Sequence, residues 1–118
     1  MDNSDPLRNL ALQLDQFAKD RDWQQFHSPK NLASALVVEA GELLEHFQWM
    51  TEQKSRALNP ETRDAVAAEV ADVLLYLLQL STALDIDPIE AAQEKLKLNG
   101  LKYPVDRARG NSKKYDEL

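Results

Sequence analysis

The sequence predicts an all-α protein, a four-helix bundle-like fold built as one domain over residues 1–118. Three observations carry that expectation. Leu and Ala dominate the apolar residues and there are only three glycines, a composition typical of helices. Four times a capping residue is followed directly by proline, at Asp5-Pro6, Ser28-Pro29, Asn59-Pro60 and Asp87-Pro88. That pair signals a helix start, because proline presets φ and its missing N–H is one that a first turn leaves unpaired anyway. Apolar residues in the segments that follow recur at helical spacing rather than in alternation.

The first helix begins at Pro6, and Leu7, Leu10, Ala11, Leu14 and Phe17 give it one apolar face. "KDRDWQQFHSPK" is a polar connection carrying three large rings, Trp23, Phe26 and His27. A second helix is expected from Pro29 to about Met50, and a third from Pro60 to about Leu84. The fourth opens at Pro88, and Gly100 is expected to end it. The tail, residues 101–118, has little periodicity and reads as extended or flexible.

Composition removes several functions. Without cysteine there is neither a disulfide framework nor a thiolate metal site. The formal charge of −6 argues against a nucleic-acid partner, which would need a basic face. It leaves room for a phosphorylated small molecule, since Lys102, Arg107, Arg109, Lys113 and Lys114 crowd the tail. No uninterrupted apolar run approaches the ~20 residues that span a bilayer, and the N-terminus lacks a signal-peptide pattern. A soluble, cytoplasmic protein without a membrane partner is the expectation.

The chemistry concentrates in two runs, "VVEAGELLEHFQWM" and "EVADVLLYLL". At 100° per residue, Leu36, Val37, Ala40, Leu43, Leu44 and Phe47 fill one side of the second helix. Glu39, Glu42, His46 and Trp49 form a narrow stripe at its border, with Glu45 further round. On the third helix Val66, Val70, Val73, Leu74, Leu75, Leu77, Leu78 and Leu80 cover most of the circumference, and Glu69, Asp72 and Tyr76 make the one polar stripe. Ionised carboxylates in such surroundings are costly unless Arg or Lys partners, a solvent cleft or a bound metal relieves them. The third helix has no Lys or Arg between Ala65 and Leu84.

A single Glu pair at i, i+3 is usually a solvated face. Two such pairs, one on a nearly all-apolar helix, point instead to four oxygen ligands facing one point. That donor set suits Mg²⁺, with Mn²⁺ as the alternative. A ferritin-like di-iron site needs Glu-x-x-His on two helices, and the sequence contains none.

These residues resemble a known family. "EAGELLEHFQW" followed by "EVADVLLYL" is similar to the Glu-x-x-Glu … Glu-x-x-Asp signature of MazG-like all-α nucleoside triphosphate pyrophosphohydrolases. "DWQQFHSPKNLASAL" and "KLKLNGLKYPVDRARGNSKKYDEL" resemble segments of the dCTP pyrophosphatase branch. The likeness runs from about Leu12 to the C-terminus. It implies a MazG-type fold that hydrolyses a (deoxy)nucleoside triphosphate, dCTP-like, to the monophosphate and pyrophosphate with Mg²⁺. It further implies that Glu39, Glu42, Glu69 and Asp72 hold the metal, with Glu39 and Glu42 as the catalytic pair. Lys95 would contact the phosphates and Asn99 the nucleotide, while Trp23, His27, Trp49 and Tyr76 line the nucleoside pocket. A homodimer or homotetramer is implied as well.

Two positions depart from the pattern. Many relatives carry an extra glutamate, proposed as general base, where this chain has Val38. Either Glu39 serves as ligand and base together, or the metal alone activates water. Lys102 replaces the usual Arg before Tyr-Pro, keeping the charge but not the bidentate geometry. Two rival functions remain: a non-catalytic helical dimerisation or regulatory module, and a broad-specificity pyrophosphohydrolase for modified nucleotides.

Overall fold

The computed structural model describes residues 5–118, and no strand occurs among them. Contacts divide the chain into two compact units, one ending at Asp85 and one spanning Ile86–Leu118. The first holds α1 (Pro6–Asp20), α2 (Pro29–Glu45), a one-turn α3 (Glu52–Ser55) and α4 (Pro60–Ala83), with a 3₁₀ turn at Gln24–Phe26. The second holds α5 (Pro88–Lys102), a short α6 (Val105–Ala108) and a 3₁₀ turn at Tyr115–Glu117.

All four proline-marked starts are capped as their sequence dictates. The side chain of Asp5 accepts from the Arg8 N–H, Ser28 from Asn31 and Asn59 from Thr62. Asp87 accepts from both Ile89 and Glu90. Each satisfies a backbone donor that the first turn cannot pair. Thr51 caps α3 in the same way through the Lys54 N–H. Two helix ends are made without glycine. Asp22 and Asp85 both take φ of 53°, a left-handed conformation that Asp tolerates better than most residues. At the first of them the Trp23 N–H reaches back to Ala18 O and the Asp22 N–H to Lys19 O, which closes the helix and turns the chain toward α2.

Three boundaries differ from the sequence expectation. The second helix stops at Glu45 rather than near Met50, because its bonds tighten to i→i−3 at His46 and Phe47. Gly100 does not end α5, which continues to Lys102 and closes with Tyr103 N–H to Asn99 O. A helical glycine costs only about 1 kcal/mol, and Gly100 has a negative-φ helical backbone with open space around it. The tail is also locally ordered. Beyond α6, the Tyr103 and Tyr115 rings meet edge-on at 6.3 Å, and Lys102 Nζ sits 4.9 Å from the Tyr115 ring centre.

Within the first unit α2 packs along α4, and α1 crosses the same helix more briefly. The pairing of α2 with α4 is antiparallel. His46 lies beside Glu69, Glu39 beside Glu69 and Asp72, and Leu32 shares a cavity with Gln79 and Thr82. The most buried side chains, Ala18, Leu32, Leu78 and Ser81, gather where α1, the start of α2 and the end of α4 meet. Ser81 Oγ donates to Leu77 O within its own helix, so its hydroxyl is paired despite burial. Elsewhere the apolar stripe is left open: Val37, Val38, Leu44, Val70, Leu74 and Leu77 are all exposed.

By length and composition alone α4 matches a bilayer-crossing helix, with a mean hydropathy of 1.4 over its most apolar window. The residue-by-residue reading missed this because Glu69 and Asp72 interrupt the run. An ionised Asp at mid-bilayer costs about 2.5–3.5 kcal/mol, and α4 instead packs both acids' neighbourhood against α2. It is the central helix of a bundle.

The core this unit buries is small, so each member counts. Leu78→Ala should lower unfolding free energy by about 2–5 kcal/mol, read from the urea midpoint at unchanged slope. A loss below about 1 kcal/mol would mean that Leu78 is not packed as described.

Candidate metal centre

Helical spacing places the acidic residues before tertiary structure does anything. Glu39 and Glu42 sit one turn apart on α2, and Glu69 and Asp72 one turn apart on α4. Antiparallel packing then sets one pair against the other. Glu39, Glu69 and Asp72 each offer a carboxylate oxygen, and these oxygens all lie within 4.8 Å of one another. Glu39 and Glu69 are half-buried and Asp72 is exposed. Glu42 stands outside this trio and hydrogen-bonds Glu39 instead.

The electrostatics follow from the crowding. The Glu39 carboxyl is pushed up to about 7 from an ordinary 4.5, first by its hydrogen bond with Glu42 and then by burial. Repulsion from Glu42, Asp72 and Glu69 adds to the rise. Glu39 therefore keeps its proton to a higher pH than an ordinary carboxyl does. Among the described residues the one basic group at ion-pair distance from these carboxylates is His46, whose Nε2 is 3.7 Å from Glu69 Oε1.

Two oxygens remain unsatisfied. Oε2 of Glu39 and Oε2 of Glu69 are sealed from solvent and have no hydrogen-bond donor. Carboxylate oxygens only accept when ionised, and buried acceptors without donors are rare in folded proteins. A cation satisfies both at once, and an all-oxygen set is the kind that hard divalent ions take. The residues present fit a metal.

The other sequence-predicted residues fall in four places. Tyr76 is half-buried on α4, one turn beyond Asp72. Trp23 and His27 precede α2 and contact each other edge-on at 6.5 Å, with Phe17 on the other side of Trp23 at 5.8 Å. Trp49 follows the end of α2 and is 91% exposed. A helix of 17 residues, about 25 Å long, separates Trp49 from Trp23 and His27, so one chain does not bring all three together. Lys95 and Asn99 stand one turn apart on α5 in the second unit, the lysine exposed and the asparagine half-buried. Sequence reasoning singled out His46 as a neighbour of the acidic stripe, from its position seven residues after Glu39. It missed Asp15, Gln24, Gln79 and Thr82, which line a cavity with His27. Only for Gln79 was there a signal, its spacing of seven from Asp72.

The raised Glu39 group fixes a pH dependence for the metal-free protein. A carboxyl that binds its proton more tightly when folded favours the folded state below its folded value. That advantage is lost as pH rises from about 4.5 to about 7. Metal-free melting temperature should therefore fall across this window, and Glu39→Gln should flatten the fall. Identical slopes for parent and variant, followed by circular dichroism, would remove Glu39 as the group responsible.

Comparison with known proteins places the chain in a family. The MazG-like family profile matches residues 35–118. The chain is 45% identical over 105 residues to dCTP pyrophosphatase 1 of Homo sapiens, and 43% identical to that of Rattus norvegicus. Those alignments cover 87% of this chain and 62% of each relative, so the chain spans under two thirds of their length. A pyrophosphatase from Archaeoglobus fulgidus superposes with a TM-score of 0.81 at 37% identity, covering 88% of this chain and 97% of that one. The chain belongs to the MazG-like family.

Proposed function

We propose that this protein hydrolyses a deoxynucleoside triphosphate, dCTP or a close relative, to the monophosphate and pyrophosphate. One observation carries the reading. Glu39, Glu69 and Asp72 converge from two helices with two sealed, donorless oxygens, in a chain 45% identical to a dCTP pyrophosphatase. The same reading treats residues 1–118 as one catalytic domain of a cytoplasmic protein.

Glu39, Glu69 and Asp72 would hold Mg²⁺, or Mn²⁺ in its place, with Glu42 beside them. Bound there, the ion supplies neutralisation of triphosphate charge and polarisation of the phosphoryl oxygens. Glu39, beside the ion, is proposed to take a proton from the attacking water; its rise to about 7 belongs to the metal-free protein, because a bound cation favours the ionised carboxylate. That assignment suits a chain whose adjacent position is Val38, an exposed side chain without a titratable group. His46 keeps the Glu69 carboxylate facing the α2 seam. Lys95 and Asn99, on one face of α5, are proposed to bind the phosphates and the nucleotide, and Tyr76 to flank the nucleoside.

A homodimer or homotetramer belongs to the proposal. The exposed Val37, Val38, Leu44, Val70, Leu74 and Leu77 make a larger apolar surface than a lone chain ordinarily shows to water. Trp49, at 91% exposure, is proposed to bury its ring against a neighbouring subunit or the substrate.

With Mg²⁺ the protein should release pyrophosphate from dCTP. Glu42→Gln and Glu69→Gln should fall to background while keeping their helical content. Mg²⁺ should raise the melting temperature of the parent by mass action and that of the variants much less. Equal Mg²⁺ shifts and no hydrolysis in any of the three would leave a non-catalytic helical module. A panel of canonical and modified triphosphates separates a dCTP preference from broad house-cleaning. Light scattering at micromolar concentration should give at least a dimer, and a fully active monomer would refute the assembly.

A further inference from the structure

Glu69 has neighbours of opposite kind on its two sides. Glu39 and His46 stand seven residues apart on one face of the chain, about 10 Å along the helix axis. A carboxylate oxygen of Glu69 lies within 4.8 Å of one from Glu39, and Glu69 Oε1 lies 3.7 Å from His46 Nε2. The Glu69 side chain therefore sits between the two, with carboxylates on one side and an imidazole on the other. His46 is the first residue past α2, yet its backbone keeps helical angles (φ −66°, ψ −21°) and its N–H still bonds Leu43 O. That tightened turn carries the ring one step beyond Glu42 on the acidic face.

Two properties make this contact more than a surface pairing. Both side chains are largely withdrawn from solvent, His46 to 29% exposure and Glu69 to 20%. No other cation competes for the place either. The helix α2 has no Lys or Arg after Lys30 and α4 none after Arg63, and among the described residues His46 alone lies within ion-pair reach of Glu69. The gap is about 0.5 Å longer than an N–H···O hydrogen bond, which a small side-chain rotation closes. A carboxylate oxygen only accepts, so Nε2 must carry a hydrogen, as it does in the imidazolium and in one neutral tautomer alike. The two Glu69 oxygens are thereby told apart. Oε1 faces a donor, whereas Oε2 is sealed from solvent and has none.

We infer that His46 is a positioning residue: by engaging Oε1 it leaves Glu69 one oxygen, Oε2, for the cation, and so selects a small six-coordinate ion over a larger one. The inference rests on the proposed metal centre. Mg²⁺ demands near-octahedral geometry and few protein carboxylates, whereas Ca²⁺ fills a larger shell and is often clasped by both oxygens of one carboxylate. A Glu69 held through Oε1 cannot clasp an ion with both, so the centre is poorer for Ca²⁺ than its three acids suggest. His46 acts through Glu69 and not as a ligand, because the converging atoms are oxygens of Glu39, Glu69 and Asp72. Partners that orient a ligand in this way change metal affinity by about 10–100-fold.

Metal binding without nucleotide tests this. Mn²⁺ affinity is read from the electron paramagnetic resonance of the free ion, and Ca²⁺ affinity from displacement of bound Mn²⁺. His46→Leu should lower the ratio of Mn²⁺ to Ca²⁺ affinity by about tenfold. His46→Gln, which keeps an N–H donor of similar reach, should restore most of it. A merely structural role would lower the metal-free melting temperature and weaken both ions alike, leaving the ratio unchanged. That result overturns the inference, as does a Gln variant no better than the Leu variant. Nitrogen coupling to bound Mn²⁺ that disappears in His46→Gln would make His46 a ligand and overturns it too. A parent that binds no Mn²⁺ overturns it together with the metal centre. An unchanged ratio in a protein that hydrolyses dCTP leaves the hydrolase reading standing. A lowered, Gln-restored ratio in a protein that hydrolyses no triphosphate supports His46 and sinks the hydrolase.

Discussion

Like charges held together at the seam of α2 and α4 set the terms for the rest of the first unit. Glu39, Glu69 and Asp72 bring their oxygens within 4.8 Å of one another, and Glu42 presses on Glu39 from the same helix. The local relief is partial: Glu39 holds its proton to higher pH than usual, and His46 lies beside one oxygen of Glu69. Packing α2 on α4 thus stores electrostatic repulsion, and the helices stay together because their apolar neighbours outweigh it. Stability is given up at the proposed ion site, a pattern common to functional sites. The same seam extends past the carboxylates to the polar cavity at the end of α4.

The hydrophobic side of the balance is thin in a single chain. Only Ala18, Leu32 and Leu78 are fully buried apolar residues among those described, while much of α4 shows its Val and Leu side chains. Small domains bury a limited fraction of their surface in any case. A helix that carries both an acidic stripe and apolar residues nearly all round has more apolar faces than α1 and α2 can cover. That excess is the physical ground for expecting subunits to share a core.

Much of this was legible in the sequence because it rests on local rules. The Asp5-Pro6, Ser28-Pro29, Asn59-Pro60 and Asp87-Pro88 pairs each mark a helix start that the structure caps as read. The i, i+3 acidic pairs on amphipathic or apolar helices foretold the convergence of Glu39, Glu69 and Asp72. What escaped depended on tertiary packing or on weak local preferences. Nothing local ties Asp15 on α1 to Gln24 after it and Gln79 on α4; the cavity exists only once the three segments meet. Gly100 suggested a helix end, yet the end came at Tyr103 because a glycine in a helix is a small penalty. Trp49 and His27 read as neighbours along the sequence, but the length of α2 sets them at opposite ends.

The claim that everything else leans on is that Glu39, Glu69 and Asp72 hold one divalent ion between α2 and α4. Anomalous diffraction from crystals soaked in Mn²⁺ tests it without reference to any reaction. The account predicts a peak bonded to carboxylate oxygens of all three residues, with the otherwise donorless Oε2 atoms of Glu39 and Glu69 among them. A peak bound elsewhere, or none at this seam at saturating Mn²⁺, would contradict it.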